Sequence, residues 1–218
     1  MKVAVTGSKG VVGQAFIQKA KSDYEIIELD LPDNDVGNLD HLIEATRGCD
    51  AIVHCAWATL KDNYTSGSID PINDVMIFNV YQAAVTNKIP KVIMSSSNHA
   101  HNHDIRDTDG KIRASISPPI PDSPYGAEKV FMEALGRYYA NDYGLQVVCI
   151  RIGNINIEDK PNDDEPRRYM SHRDLTQLVS KCLEQDVPNG FQIVYGVSKQ
   201  PIFDWSNPFG YVPVDGTL

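Results

Sequence analysis

Lys2-Val3-Ala4-Val5-Thr6-Gly7-Ser8-Lys9-Gly10-Val11-Val12-Gly13 is the stretch whose reading decides the fold. Val3–Val5 is a short apolar run that breaks at Thr6-Gly7. Two further glycines follow at three-residue intervals, and a helical pattern starts there. The expected order is strand, tight turn, helix. Glycines at 7 and 10 let a pyrophosphate approach the backbone, and a helix that begins there points N–H groups and its positive dipole end at the anion. Gly13 lets the helix pack closely on the strand.

Working outward, Glu25–Asp30 reads as a second strand ending in an acid, 17 residues beyond Gly13. An acid at about that distance accepts from the adenosine ribose hydroxyls and repels a 2′-phosphate, which favours NAD over NADP. The alternative for Asp30 is a surface turn cap. Asp35-Val36 is expected to form a short strand. Helices are expected at Val12–Lys21, Leu39–Arg47, Asp74–Asn87, Tyr125–Tyr143 and Asp174–Leu183, with Ser171 or a neighbour capping the last. Further strands are expected at Cys49–Ala56, Lys91–Met94, Gln146–Ile150 and Phe191–Gly196. Trp57–Asp70, His101–Pro121 and Ile157–Arg168 read as loops, and the tail to Leu218 as irregular coil. This alternation makes an α/β doubly wound parallel sheet. Asn79, polar within an apolar pattern, is expected to be buried and bonded to backbone. His54 reads as a structural histidine at a strand end.

The chain has 218 residues, 42% hydrophobic and 22% charged, with a formal net charge of −9. One domain, or one domain with a small appendage, is expected, with a real core. The acidic balance and scattered Lys and Arg argue against a nucleic-acid surface. No apolar run is long enough for a membrane span. A strand starting at Lys2 leaves no room for a leader, and the cytoplasm is the expected compartment. Cys49, Cys55, Cys149 and Cys182 lie singly and are expected to be reduced thiols. His99, His101 and His103 alternate, but no carboxylate or Cys stands at a ligand spacing beside them, so no metal is expected.

Three features suggest chemistry. Tyr125 and Lys129 are four apart, on one face of one helix. A free phenol has a pKa near 10. A nearby ammonium and a cationic nicotinamide favour the phenolate, which can then take a hydroxyl proton as hydride departs. Ser97, at a strand end, can hydrogen-bond the reacting oxygen. Tyr-x-x-x-Lys also arises by chance on many helices; behind this glycine turn and serine run, the catalytic reading is the one adopted.

With these motifs in place, the chain resembles the extended short-chain dehydrogenase/reductase superfamily, in which a three-and-three glycine spacing accompanies Tyr-x-x-x-Lys. Ser96-Ser97-Asn98-His99, Tyr125-Gly126-Ala127-Glu128-Lys129, Arg151-Ile152-Gly153-Asn154 and Ser171-His172-Arg173-Asp174 look like the uronate dehydrogenases and, equally, the archaeal-type NAD-dependent glucose-6-phosphate dehydrogenases. The resemblance implies a Rossmann-type single domain over residues 1–218, with about 152–218 forming a reduced substrate-binding portion. It implies oxidation of an aldose at the anomeric carbon to a lactone by Ser97, Tyr125 and Lys129. Implied NAD contacts are Gly7, Lys9, Gly10, Val11, Val12, Gly13, Asp30, Asp35, Val36, Cys55, Ala56, Trp57, Asn79, Tyr125, Lys129 and Ile152. Implied sugar contacts are Thr59, Ser97, Asn98, His99, Asn154 and an arginine, Arg167 or Arg168. Those arginines read equally as solvated loop charges. Pairing of two copies through helices 74–87 and 125–143 is a further implication. Two alternatives stand beside the dehydrogenase: a nucleotide-sugar epimerase or dehydratase of the same fold, and a non-catalytic NAD-sensing protein.

Overall fold

The first strand lies at the centre of the architecture. In the computed structural model, residues 1–58, 67–102, 105–113, 118–163, 168–200 and 202–216 are described. β1 (Lys2–Thr6) pairs in parallel with β2 (Glu25–Leu29) on one side and β3 (Ala51–His54) on the other. The sheet continues through β4 (Lys91–Ser97), β6 (Gln146–Ile152) and β7 (Phe191–Gly196), all parallel, in the order β2-β1-β3-β4-β6-β7. The order reverses between β1 and β3, and in open α/β sheets ligands bind beyond the carboxyl ends of the strands at such a switch point.

The inner strands are buried on both faces and read as continuous apolar runs, as covered parallel sheets require. Val3, Ala4, Val5, Ile52, Val92 and Val147 are fully or almost fully buried. Helices α1 (Val11–Ala20) and α5 (His172–Glu184) cover one face; α2 (Leu39–Ala45), α3 (Pro71–Asn87) and α4 (Pro124–Tyr143) cover the other.

Local chemistry sets the helix bounds. Asp70 caps α3 by accepting from Ile72 N, and Pro71 occupies its first turn, so the helix starts three residues earlier than expected. Ser123 caps α4 through Gly126 N at 3.1 Å, again with Pro at the start, and Gly144 closes it in a left-handed conformation. Ser171 caps α5 through Asp174 N at 3.0 Å.

Three expectations are corrected. Asp35-Val36 forms no strand: Asp35 Oδ1 accepts from Gly37 N, and a local turn takes the place of a ladder. β4 and β6 run further than their apolar cores, because Ser95, Ser96 and Ser97 keep pairing with Ile150, Arg151 and Ile152. The tail is not all coil: β8 (Phe203–Asp204) pairs in parallel with β5 (Ile112–Arg113), and Phe203 packs with Ile112, Tyr195 and Val197. All four cysteines are free thiols. Among the described residues no helix is long and apolar enough to cross a membrane.

Candidate active site

The glycine turn is a cradle that side chains would fill. Gly7 has φ +66°, and a Cβ there would lie 2.5 Å from Ala56 N. A Cβ on Gly13 would lie 2.3 Å from the Gly7 carbonyl oxygen. Only glycine fits either place. No side chain caps the start of α1 at Gly10, which leaves the turn to a ligand anion.

Two cavities open from this turn along the carboxyl ends of the strands. The first, about 620 Å³, is lined by Gly7, Lys9, Gly10, Asp30, Asp35, Val36, Cys55, Ala56 and Trp57, with Leu31, Asn34, Ala58, Ile72 and Met76. The second, about 520 Å³, is lined by Gly10, Val11, Val12, Cys55, Trp57, Ser97, Asn98, Tyr125, Lys129, Ile152 and Asn154, with Ser95, Ser96, Gly153, Ile155 and Asn162. Gly10, Cys55 and Trp57 belong to both walls, so the cavities form one groove. Its two joined cavities, its glycine cradle and the acid Asp30 in one of them fit a dinucleotide.

Asp30 bonds back to the turn: Oδ2 accepts from Lys9 N at 2.7 Å and Oδ1 from Leu31 N at 2.8 Å. The Lys9 ammonium donates to the Leu31 carbonyl. Gly13 and Asn79 are not in the walls. Gly13 acts through packing, and Asn79 donates to the carbonyls of Val36 and Gly37, both at 2.9 Å. Asn79 thereby holds the first cavity's outer loop.

In the second cavity Ser97, Tyr125 and Lys129 share one wall and are each at least nine-tenths buried. Ser97 ends β4, and its Oγ accepts from His99 N at 3.2 Å. Tyr125 sits in the first turn of α4. Gly126 lets that turn approach the strand end, since a Cβ there would lie 2.1 Å from the His99 carbonyl oxygen. The Lys129 ammonium donates to the Ser95 carbonyl at 2.8 Å and lies 3.5 Å from the centre of the Trp57 ring. Burial pushes its pKa down to about 7, against the opposing pull of Cys55 and Glu128.

Asn98 and Asn154 lie in the second cavity's wall. With the Asn98 amide set to satisfy its neighbours, Nδ2 donates to the Ile152 carbonyl at 3.0 Å and Oδ1 accepts from Arg168 Nη1 at 2.9 Å. Arg168 is therefore buried and directed inward, not a solvated loop charge. Its carbonyl accepts from Asn154 N at 2.5 Å. His99 stands behind the wall, edge-on to Tyr125, with Nδ1 at 2.9 Å from both oxygens of Asp122. His101 bonds to the carbonyls of Pro118 and Ile105. Thr59, His103 and Arg167 lie outside the described residues. Among those described, no group of His, Cys, Asp and Glu could hold a metal.

Two site residues, Glu133 and Asp122, escaped the sequence reading. Ser96 Oγ donates to Glu133, which forms a two-pronged pair with Arg151; both charges are almost fully buried. An arginine within an apolar strand was a readable sign that a partner existed. Asp122, which also accepts from Ser123 Oγ, carried no local signal. His54 Nδ1 lies 2.8 Å from Thr6 Oγ1, and burial, then the Lys129 charge, push the imidazole down to about 3, so it stays neutral.

A reversed parallel sheet with a glycine cradle at its switch point defines a Rossmann-type protein. The chain belongs to the NAD dependent epimerase/dehydratase family, whose model matches residues 3–205. It is 33% identical to an L-arabinose 1-dehydrogenase (NAD(P)(+)) of Haloferax volcanii, over 86% of this chain and 84% of that one. It is 32% identical to a uronate dehydrogenase of Pseudomonas syringae pv. tomato, over 93% and 71%. A solved mutant uronate dehydrogenase of Agrobacterium tumefaciens, complexed with NAD, shares the fold with a TM-score of 0.82 at 24% identity, covering 98% of this chain and 84% of the other.

Proposed function

We propose that the chain is an NAD-dependent dehydrogenase that oxidises an aldose-type sugar, a uronate or a sugar phosphate, at its anomeric carbon to the lactone. The observation that carries this is the single wall formed by Ser97, Tyr125 and Lys129 in a groove continuous with the glycine cradle. The sugar dehydrogenases among its relatives support the same reading.

Gly7, Gly10, Val11 and Val12 receive the pyrophosphate, and Asp30 the adenosine ribose. Asp35, Val36 and Ala56 flank the adenosine half, while Cys55, Trp57 and Ile152 flank the nicotinamide half. Bound there, NAD supplies the hydride acceptor. Ser97 Oγ donates to the anomeric oxygen and holds it. Tyr125 accepts that hydroxyl's proton while a hydride leaves the same carbon, so the sugar loses one proton to Tyr125 and a second, with two electrons, as hydride, and a C=O forms. Lys129 stabilises the phenolate and holds the nicotinamide ribose. Asn98 and Asn154 bind sugar hydroxyls from the wall, and His99, held by Asp122 beside Tyr125, reaches a sugar hydroxyl through its other ring nitrogen. Arg168, through Asn98, supplies positive charge for a carboxylate or phosphate; Thr59 and Arg167 belong to the same proposal. Residues 152–218 form the reduced substrate-binding portion of one domain spanning 1–218. A second copy packs on the exposed Val75, Phe78, Phe131 and Tyr138 of α3 and α4, and the enzyme works in the cytoplasm.

A panel of uronates, sugar phosphates and neutral aldoses with NAD and NADP tests the reading through reduced-cofactor absorbance. Net NADH with an anionic aldose is expected. Sugar turnover without net NADH would assign an epimerase instead. A preference for NADP would contradict the role of Asp30.

A further inference from the structure

Lys129 is 4% exposed, yet among the described residues it forms no ion pair with a carboxylate. The titratable groups facing it offer no nearby full negative charge. On α4 itself, Glu133 is committed to Arg151 and Glu128 acts only at a distance. From β3 comes His54, neutral, and from just beyond its end Cys55, whose thiol burial pushes up to about 11. From β6 comes Cys149, whose thiol burial pushes well up. Tyr125 presents its ring, with the ammonium 5.5 Å from the centroid.

Two groups touch the ammonium instead: the Ser95 carbonyl at 2.8 Å and the face of Trp57 at 3.5 Å. The indole is held in that orientation by Tyr125, whose ring meets it edge-on at 88° and 5.3 Å. A desolvated ammonium over an indole face is the strongest arrangement of its kind.

We propose that Trp57 is a positioning residue: its indole face, with the Ser95 carbonyl, keeps the Lys129 amine charged and fixed at the wall of the second cavity. Wetting of the site would act in the opposite direction, because water around a buried amine raises its proton affinity. The role deepens the reading of Lys129 given above, but the measurement that tests it requires no substrate.

The test is a pH titration of the full chain labelled at lysine Cε with ¹³C, with the Lys129 signal assigned by its loss in Lys129→Met. In Trp57→Leu the Lys129 midpoint falls by about one pH unit, and in Trp57→Phe by less. An unchanged or higher midpoint in Trp57→Leu overturns the proposal; so do equal shifts in the two variants, which would mark packing rather than the ring face. A second readout leaves Trp57 intact. In Trp205→Phe, which makes Trp57 the only tryptophan, emission changes as Lys129 titrates, and adding Lys129→Met abolishes that transition. Emission that ignores Lys129 overturns the proposal. A lowered midpoint in a protein that oxidises no sugar would sink the dehydrogenase reading and leave this one standing.

Discussion

Tyr125→Phe removes one hydroxyl and keeps the ring that meets Trp57 and His99 edge-on. Turnover should fall by roughly 10²–10⁴-fold, while NAD affinity, measured by calorimetry, stays nearly unchanged. Lys129→Met makes a second prediction, in stability. Below about pH 7 folded and unfolded chains both hold the Lys129 proton, and the fold carries the whole cost of a desolvated ammonium. Above that pH the folded chain releases the proton while the unfolded chain keeps it up to about 10.5. The unfolded state then binds more protons, so wild-type stability gains from this group as pH rises through that window. Lys129→Met should therefore raise the melting midpoint by several degrees near pH 6 and by less near pH 10, at the expense of activity. Tyr125 and Lys129 were legible in the sequence because their spacing on one helix is local. The indole against Lys129 was not, because that contact joins a loop after β3 to α4, and no spacing encodes it.

At the level of elements, β6 and the catalytic helix are joined by a charge pair, and the serine strand β4 is tied to the same carboxylate by a hydrogen bond. Arg151 in β6 and Glu133 in α4 are 1% and 4% exposed, and Ser96 adds a third bond to the carboxylate. Burial works against the Arg151 charge, but the Glu133 hydrogen bonds and charge outweigh it and raise the guanidinium pKa. Glu133→Gln strands that charge and should lower the unfolding free energy by about 3–5 kcal/mol in urea titrations. Glu133→Met with Arg151→Met together should recover most of the loss, because the cost lies in the unpaired charge and not in the absence of the pair. Element order was readable from apolar periodicity. Beyond the polar ends of β4 and β6, the misreadings fell where two residues were asked to define a strand. Val36 is apolar yet has no ladder partner, whereas Phe203 finds one in Ile112 across a long sequence gap. Only tertiary pairing separates those cases.

For the molecule as a whole, the two layers leave Val75, Phe78, Phe131 and Tyr138 about 40–46% exposed on adjacent helices. Scattered exposed apolar residues are ordinary, whereas neighbouring ones are where the proposed pairing of two copies would be seated. The proposed pairing of two copies predicts that Phe78→Arg combined with Phe131→Arg shifts the light-scattering mass from two chains to one without shifting the far-ultraviolet spectrum. The groove has a different consequence. Because Gly10, Cys55 and Trp57 wall both of its cavities, it acts as a bivalent receptor with two seats joined at a hinge of three residues. A ligand anchored in one seat presents its other half at an effective concentration in the millimolar range, set by the length of its linker. A mononucleotide forfeits that advantage however well it fits its own seat. Discrimination in favour of intact dinucleotides over mononucleotides thus follows from the geometry of the seam.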